Sequence, residues 1–188
     1  MRTPPLVVLL LVSILWGLHG RGTGAGQKEA GATSAPASDG LIKVTIATGG
    51  GLFGIVKSKF KVGEEIPVVV SMTNTGDEPA KYCLSTTVIQ NRPQLERDGQ
   101  TIPYLTNLPA QVDDQAAVEK CENSAFRRFY ELQPKQQKIV DWITLGQRGV
   151  LWYEPLPPGH YELILTRRVE CCRGPLLKSN KVAFDILP

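Results

Sequence analysis

Residues that could act as catalytic acids, bases or nucleophiles are few in this chain of 188 amino acids. Only two histidines occur, and one of them, His19, lies in the apolar amino-terminal segment. A Ser-His-Asp or Cys-His arrangement would therefore depend on His160, which follows a proline turn. The chain has no Gly-x-Ser-x-Gly nucleophile elbow, no His-Glu-x-x-His zinc motif and no Walker loop. We therefore expect a protein that is not an enzyme.

Adjacent carboxylates at Asp113 and Asp114 are the remaining candidates for acid-base chemistry. Glycosidase carboxylates must face each other across a cleft at a set separation, whereas neighbours in a loop usually diverge. We interpret the pair as a solvated acidic loop, with weak calcium binding as the alternative because hard oxygen ligands cluster there. The sequence thus predicts no catalytic residue, no cofactor and no metal site.

Four cysteines, Cys83, Cys121, Cys171 and Cys172, are candidates for disulfide bonds. An even number behind a secretion signal favours disulfides, and four cysteines allow three pairings. Bonding Cys171 to Cys172 would join Cα atoms only about 3.8 Å apart, below the usual minimum of about 4.4 Å. Two schemes remain open, in which Cys83 and Cys121 bond separately to the vicinal pair. A strained vicinal disulfide that acts as a redox switch is the alternative.

Charge patterning supplies the first candidates for partner contacts. The chain has 21 basic and 18 acidic residues, a net charge of +3, and loss of the leader with Arg2 and Arg21 would leave 19 against 18. So small an excess argues against nucleic acid as a partner. Arginine pairs at 127–128 and 167–168 fall on two predicted strands, and we favour the interpretation that these charges protect edge strands from aggregation. The alternative is that Arg127 and Arg167 project outward on the same sheet and, if the two strands are neighbours, bind an anion or an acidic partner.

Loops supply the second set of candidates. Trp152 and Tyr153 precede the proline-rich segment Pro155–Gly159. We favour the interpretation that this tryptophan caps the core, and an exposed aromatic platform for a glycan or a peptide is the alternative. The polar stretch Leu105–Ala125 interrupts the strand pattern and is interpreted as an insertion with a short helix around Gln115–Glu122.

The amino-terminal region is predicted to direct export. Met1 and Arg2 precede an apolar run, Leu6–Leu18, which has the length of a signal-peptide core and is short for a bilayer span. We expect residues 1–26 to be a signal peptide, with an uncleaved anchor as the alternative, and no membrane insertion after cleavage. Residues 27–40 lack large apolar side chains and are predicted to form a flexible tether. The domain that follows, 41–188, is expected to be secreted or periplasmic.

Beyond residue 40, apolar residues alternate over short stretches that end in Gly, Pro, Asn or Asp, which indicates strands joined by turns. Asp98-Gly99 is the strongest hairpin signal, because this pair tolerates the positive φ angles of a tight turn. Strands without helical crossovers predict an all-β, antiparallel sandwich with one polar insertion, and a closed barrel is the alternative. The main predicted strands are Leu41–Ala47, Ile66–Asn74, Tyr82–Ile89, Gln94–Glu96, Thr101–Tyr104, Phe126–Leu132, Lys138–Thr144, His160–Val169 and Lys181–Leu187.

Two stretches resemble secreted immunoglobulin-like domains. Phe60–Ile66 resembles the Gly-Glu turn that leads into their buried second strand, which here would run to Asn74 and close at Gly76. Leu156–Leu163 resembles the Pro-Gly-x-Tyr-x-Leu segment of their tyrosine corner. The resemblance implies an immunoglobulin-like sandwich in which the Tyr161 hydroxyl bonds a backbone group slightly upstream. Macroglobulin-type domains and the bacterial domain named for an intracellular proteinase inhibitor are the most similar groups.

Fold resemblance of this kind does not identify one activity. We expect a non-enzymatic binding or structural module whose partner is another extracytoplasmic protein, recognised through loops at the sandwich ends. The alternative is a protease inhibitor that acts through a protruding loop. The sequence does not specify the oligomeric state.

Overall fold

The structure, a computed structural model, describes residues 41–50, 56–105, 119, 121–125, 127–146 and 152–188. The predicted signal peptide and tether lie outside these residues, as do Asp113 and Asp114 and most of the insertion. Among the described residues, no helix is long and apolar enough to cross a membrane.

The described chain is all-β, as predicted. Its strands alternate buried and exposed side chains, and the short helix α1 interrupts them. Residues 119, 121 and 122 are also helical and lie within the short helix predicted for the insertion. In chain order the elements are β1 (Ile42–Thr48), β2 (Lys59–Lys61), β3 (Ile66–Asn74), β4 (Ala80–Leu84), α1 (Thr87–Gln90), β5 (Asn91–Arg97), β6 (Gln100–Thr101), β7 (Arg128–Leu132), β8 (Gln137–Leu145), β9 (Gly159–Arg168), β10 (Leu176–Lys178) and β11 (Val182–Leu187).

These strands form three sheets. The first has the order β1-β3-β8 and is antiparallel throughout. The second has the order β2-β11-β9-β5-β6, with β10 also paired to β9, and only its β2-β11 pair is parallel. The third is the antiparallel pair β4-β7. All three sheets contribute side chains to one hydrophobic cluster, so a single core stabilises the described domain.

Period-two alternation explains how this core forms. Val68, Val70 and Met72 on β3 are fully buried, and burial of each such side chain stabilises a protein by roughly 1.5–3 kcal/mol. From the second sheet, Tyr161 stacks on Phe184 with ring centroids 5.4 Å apart. The first sheet therefore contributes aliphatic side chains to the core, and the second contributes both aromatic rings and aliphatic side chains such as Leu163 and Leu165.

Two turns have the conformation that their own residues predict. Asp98 and Gly99 have φ angles of +52° and +78° and connect β5 to β6, which confirms the hairpin. Strand β3 has the predicted bounds and ends at Asn74, whose side-chain carbonyl accepts from the Gly76 amide at 2.9 Å. That bond closes the predicted Asn-x-Gly turn.

The predicted strand Tyr82–Ile89 is wrong in its second half. Strand β4 ends at Leu84 and is followed by helix α1, because the buried Gln90 side chain binds the backbone between them. The Gln90 amide donates to the Cys83 carbonyl at 2.8 Å, and its carbonyl accepts from the Ser85 amide at 2.7 Å. A tertiary side-chain contact thus replaces the ladder that periodicity alone predicts.

Candidate functional site

The four cysteines form two disulfides at one end of the domain. Cys83 on β4 bonds Cys171, with Cα atoms 5.0 Å apart, and Cys121 bonds Cys172, with Cα atoms 5.7 Å apart. The prediction that the vicinal cysteines bond different partners is therefore confirmed, and the pairing left open by the sequence is settled. All four side chains are buried together, so they fasten the end of the insertion and strand β4 to the segment after β9.

Arg167 does not project outward, so the alternative of an anion-binding patch that it shares with Arg127 is wrong. Its side chain on β9 has no exposed surface, and its guanidinium donates to Asn91 Oδ1 at 2.6 Å and to Asp141 Oδ2 at 3.2 Å. Because Asp141 lies on β8, this ion pair joins the two large sheets through the interior. Arg127 is half-buried just before β7, on the third sheet.

The polar groups around Arg167 form a structural cluster. Asp141 also accepts from Asn91 at 2.8 Å and from the Thr87 hydroxyl at 3.2 Å. Burial lowers the pKa of Arg167 from its ordinary value, and the neighbouring Asp141 charge opposes that shift. A carboxylate and an amide oxygen hold this buried cation through one terminal nitrogen, whereas its Nε is buried without a hydrogen-bond partner. No three His, Cys, Asp or Glu side chains of the described chain gather as a metal site would require.

Trp152 and Tyr153 are buried, which confirms the core-capping interpretation, and the alternative of an exposed aromatic platform is wrong. The Trp152 ring lies 5.9 Å from the Tyr104 ring, and Tyr153 stacks on the same ring at 5.4 Å. The Tyr153 hydroxyl donates to the Pro93 carbonyl at 2.5 Å, which gives its polar end a buried partner. These rings therefore attach the chain segment before β9 to the second sheet.

Tyr161 occupies the third position of β9 and is fully buried. Its hydroxyl donates to the Pro157 carbonyl at 2.6 Å, four residues upstream, which is the geometry of a tyrosine corner. Gly159 lies between them, and a Cβ there would come within 2.6 Å of Arg97 Nε. The bond thus anchors the proline-rich segment to the start of the strand.

An exposed apolar surface lies elsewhere, on the side of the first sheet that faces away from the core. On this side of the sheet, β1, β3 and β8 each contribute three residues, and the strand register arranges the nine residues in three rows. We call these nine residues the outer face: Lys43, Thr73 and Gln137; Thr45, Ser71 and Ile139; and Ala47, Val69 and Trp142.

Trp142 and Ile139 dominate this surface. Trp142 is 54% exposed and Ile139 is 50% exposed, and their partners Val69 and Ser71 are two residues apart on β3. Side chains two residues apart on a strand share a face, so Trp142 and Ile139 are neighbours on the outer face. Only one of the nine residues, Lys43, is charged.

A β-bulge puts Trp142 on the outer face. The β3-β8 register shifts between Val70 and Ser71, so that Val140 has no partner of its own and points into the core. Strict alternation along β8 would have placed Ile139 and Trp142 on opposite sides of the sheet, whereas an extra residue brings them to the same side. The sequence signal for this site was the interval of three residues between Ile139 and Trp142, which departs from the period of two along a strand.

Both edges of the first sheet carry side chains that bind main-chain groups. At the β1 edge, the Asn180 side chain accepts from the Ile46 amide at 2.8 Å and donates to the Ile46 carbonyl at 3.1 Å, as a neighbouring strand would. On β8, Asp141 accepts from the Trp142 amide at 2.9 Å beside the bulge. Bulges and inward-pointing charges are devices that discourage a further strand from pairing at an edge.

A cleft of about 530 Å³ opens at the end of the domain opposite the disulfides, between the β5-β6 turn and the Glu154–Pro157 segment. Asp98 and Glu154 both line it, and both are exposed. Asp98 is paired with Arg97 at 3.5 Å. In a pair of catalytic carboxylates, one group is usually more buried than the other, and this difference gives the two groups different roles. Asp98 and Glu154 are both exposed, so they lack that difference.

Comparisons with known proteins leave the family open. No protein-family model matches the chain, and no curated protein matches it by sequence. A Pseudomonas fluorescens alkylpurine DNA glycosylase, AlkC, bound to DNA containing an abasic site analogue, aligns with 78% of this chain and 30% of its own, at 10% identity and a TM-score of 0.36. A β-glucosidase from Erythrobacter marinus aligns with 78% of this chain and 15% of its own, at 11% identity and a TM-score of 0.36. This chain spans under a third of either protein, and neither activity is transferred to it.

Proposed function

We propose that this protein is a non-enzymatic binding module, secreted or periplasmic, that engages another extracytoplasmic protein through the outer face. The observation that carries the proposal is the exposure of Trp142 beside Ile139 on a surface with a single charged residue. Tryptophan is enriched in protein interfaces and Asp, Glu and Lys are depleted from their centres. Trp142 would be the anchor of the contact, with the surrounding Thr and Ser residues as its polar rim.

Strand order supports an immunoglobulin-like sandwich as the scaffold. The order β1-β3-β8 corresponds to strands A, B and E of that fold, and β11-β9-β5-β6 corresponds to G, F, C and C′. Tyr161 lies near the start of the strand that corresponds to F, where the tyrosine corner belongs. This order is what the macroglobulin-type and proteinase-inhibitor-type resemblance implies, and it remains part of the proposal.

Location outside the cytosol is the second part of the proposal. Two disulfides are compatible with an extracytoplasmic protein, because oxidising compartments form and retain such bonds. The predicted signal peptide and tether would deliver the domain and leave it on a flexible stem. Finding the full-length chain in the cytosol with its leader attached would contradict this part.

The protease-inhibitor alternative requires a protruding loop. Of the described loops, the one braced by both disulfides is bent at Gly174, which has a φ angle of +91°, and its Arg173 is held by Glu122 at 3.2 Å. That geometry favours a structural role for this loop. Incubation with a panel of proteases tests the alternative, because only an inhibitor would remove protease activity in stoichiometric amounts.

Affinity capture with matched variants tests the binding proposal. The mature chain, Trp142→Ala and Phe129→Ala would each serve as bait for the native envelope or culture fluid. Phe129 is the control because it is 73% exposed but lies on the third sheet. We expect a protein that binds the wild type and Phe129→Ala, and binds Trp142→Ala at least about tenfold more weakly when purified. Equal binding by all three baits, or no binding by any of them to another protein or to a second copy of this chain, would contradict the proposal.

A further inference from the structure

We infer that the partner of the outer face is a second copy of this chain, which packs face to face about a two-fold axis parallel to β3. The inference rests on the proposed function, since it names the protein that Trp142 contacts. Closed two-fold dimers are the commonest oligomers, and their interfaces must be complementary to themselves. The outer face is complementary to itself in shape and in charge. The edges of its sheet also discourage the competing arrangement, in which strands of two copies pair.

Shape complementarity follows from the strand register. In the row Ala47-Val69-Trp142, the largest residue is on β8 and the smallest is on β1. A two-fold axis along the central strand keeps each row in place and exchanges β1 with β8 across the interface. Trp142 of one copy would then lie over Ala47 of the other, so that a large side chain meets a small one twice. The half-buried Val69 would meet its own copy at the axis.

Charge permits the same arrangement. Lys43 is the single charged residue of the outer face, and it shares a row with Thr73 and Gln137. The two-fold axis places each Lys43 over the Gln137 of the other copy, where the amide oxygen can accept from the ammonium group. Two copies therefore meet without like charges in contact, and the face has no carboxylate with which to select a basic partner instead.

The edges explain why the contact would be face to face. Asn180 covers the Ile46 main chain on β1, and the bulge with Asp141 protects β8, so pairing of strands from two copies is discouraged at both ends of the sheet. The predicted tether, 27–40, contains no large apolar side chain that could cover Trp142. Packing of a second sheet at a spacing of about 10 Å is the arrangement that buries the indole.

The size of the face sets the expected strength. Its nine residues are fewer than the roughly 20–30 per side of a standard stable interface. We therefore expect a weak, concentration-dependent dimer, with a dissociation constant roughly in the 10–100 µM range. The tether would leave each domain free to meet a second copy.

Sedimentation equilibrium on the mature chain, tether included, tests the inference. We expect the wild type and Phe129→Ala to dimerise alike, and Trp142→Ala to dimerise at least about tenfold more weakly. Ala47→Trp should weaken the dimer as well, because it fills the position that Trp142 of the other copy would cover, while it leaves Trp142 unchanged. Far-ultraviolet dichroism of each variant checks that the fold is retained.

Tryptophan fluorescence gives a second readout, since Trp142 and Trp152 are the tryptophans of the chain after residue 26. Trp152 is already buried, so a shift to shorter wavelength with rising concentration would report the burial of Trp142. A wild type that stays monomeric, or a dimer that Trp142→Ala and Ala47→Trp leave unchanged, would overturn the inference. If the wild type is monomeric but Trp142→Ala loses capture of a different protein, the second-copy inference fails and the proposed function stands.

Discussion

Two tryptophans ten residues apart occupy opposite environments in this domain. Trp142 on β8 is 54% exposed, whereas Trp152 is 2% exposed and packs near Tyr104. The sequence around Trp152, with a second aromatic residue and a run of prolines, permits both a core cap and a binding surface, and the structure shows the core cap. Residue type alone does not separate an anchor for a partner from an anchor for the fold.

The difference comes from the backbone that carries each ring. Trp142 belongs to a strand whose inner positions are already filled by Val140 and Ile143, so its side chain is directed to solvent. Trp152 lies before β9, and its carbonyl accepts from the Leu105 amide at 3.0 Å, which holds the two crossing segments together. Strand register therefore exposes Trp142, whereas a contact between distant segments of the chain buries Trp152.

Replacing each tryptophan by alanine would separate their roles most strongly. We expect Trp152→Ala to lower the free energy of unfolding by about 3–5 kcal/mol, because it leaves a cavity in the core. Trp142→Ala should change it by less than about 1 kcal/mol, since its ring is largely exposed. Urea denaturation followed by circular dichroism measures both values. Similar losses in the two variants would break the comparison.

Asp141→Ala would test what holds the bulge beside Trp142. The substitution leaves the buried Arg167 without its carboxylate, which should cost about 3 kcal/mol of stability. It also removes the acceptor for the Trp142 amide, so we expect greater quenching of Trp142 fluorescence by acrylamide in the folded variant. Glu131→Ala, at an exposed position on β7, is the matched control and should change stability by less than about 0.5 kcal/mol. An Asp141→Ala variant as stable as this control would remove the ion pair from the explanation.

Tyr153→Phe would sharpen the account of the buried aromatic cluster. The variant keeps the ring and loses the bond to the Pro93 carbonyl, so we expect a loss of about 1–2 kcal/mol. Burial also raises the pKa of Tyr153 above its ordinary value. Ultraviolet absorbance during an alkaline titration should therefore show that Tyr153 ionises only when the wild type unfolds, and that Tyr82 and Tyr161, whose pKa values burial also raises, ionise above the ordinary range. A Tyr153→Phe protein with the same titration curve would assign that behaviour to another residue.

The smallest effect is expected at His160, far from either tryptophan environment. Its hydrogen bond with Asp185, 2.7 Å long, raises the pKa of His160 above its ordinary value. The pair stabilises the folded state fully below the unfolded pKa of about 6.5, and this stabilisation is lost as pH rises through the higher folded value. Stability of the wild type should thus fall slightly from about pH 6 to 8, and His160→Gln should lack that fall. Solvent screens this exposed pair, so an effect as large as that of Tyr153→Phe would contradict the assignment.

Local patterns predicted much of the fold because they act over a few residues. The bounds of β3 and the Asp98-Gly99 hairpin follow from alternation and from turn chemistry, which need no distant partner. The separate bonding of Cys171 and Cys172 follows from the short distance between neighbouring Cα atoms. For these features, the chemistry of adjacent residues is sufficient.

The candidate site was missed because it depends on distant contacts. Arg167 is buried because Asn91 and Asp141 reach it from other strands, which charge patterning along one strand does not reveal. Trp142 is exposed because a bulge shifts the register of β8, and a single residue out of step reverses the face of every later side chain. Helix α1 forms where Gln90 binds the backbone of β4, again through a tertiary contact.

Asn180 occupies the short stretch between β10 and β11, where its amide substitutes for a strand that the first sheet does not have. Its position depends on the number of residues between those two strands. The length of this link therefore affects solubility as well as topology. Lengthening that link by one residue would withdraw the amide, and an uncovered β1 would then be free to recruit neighbouring molecules into fibrils.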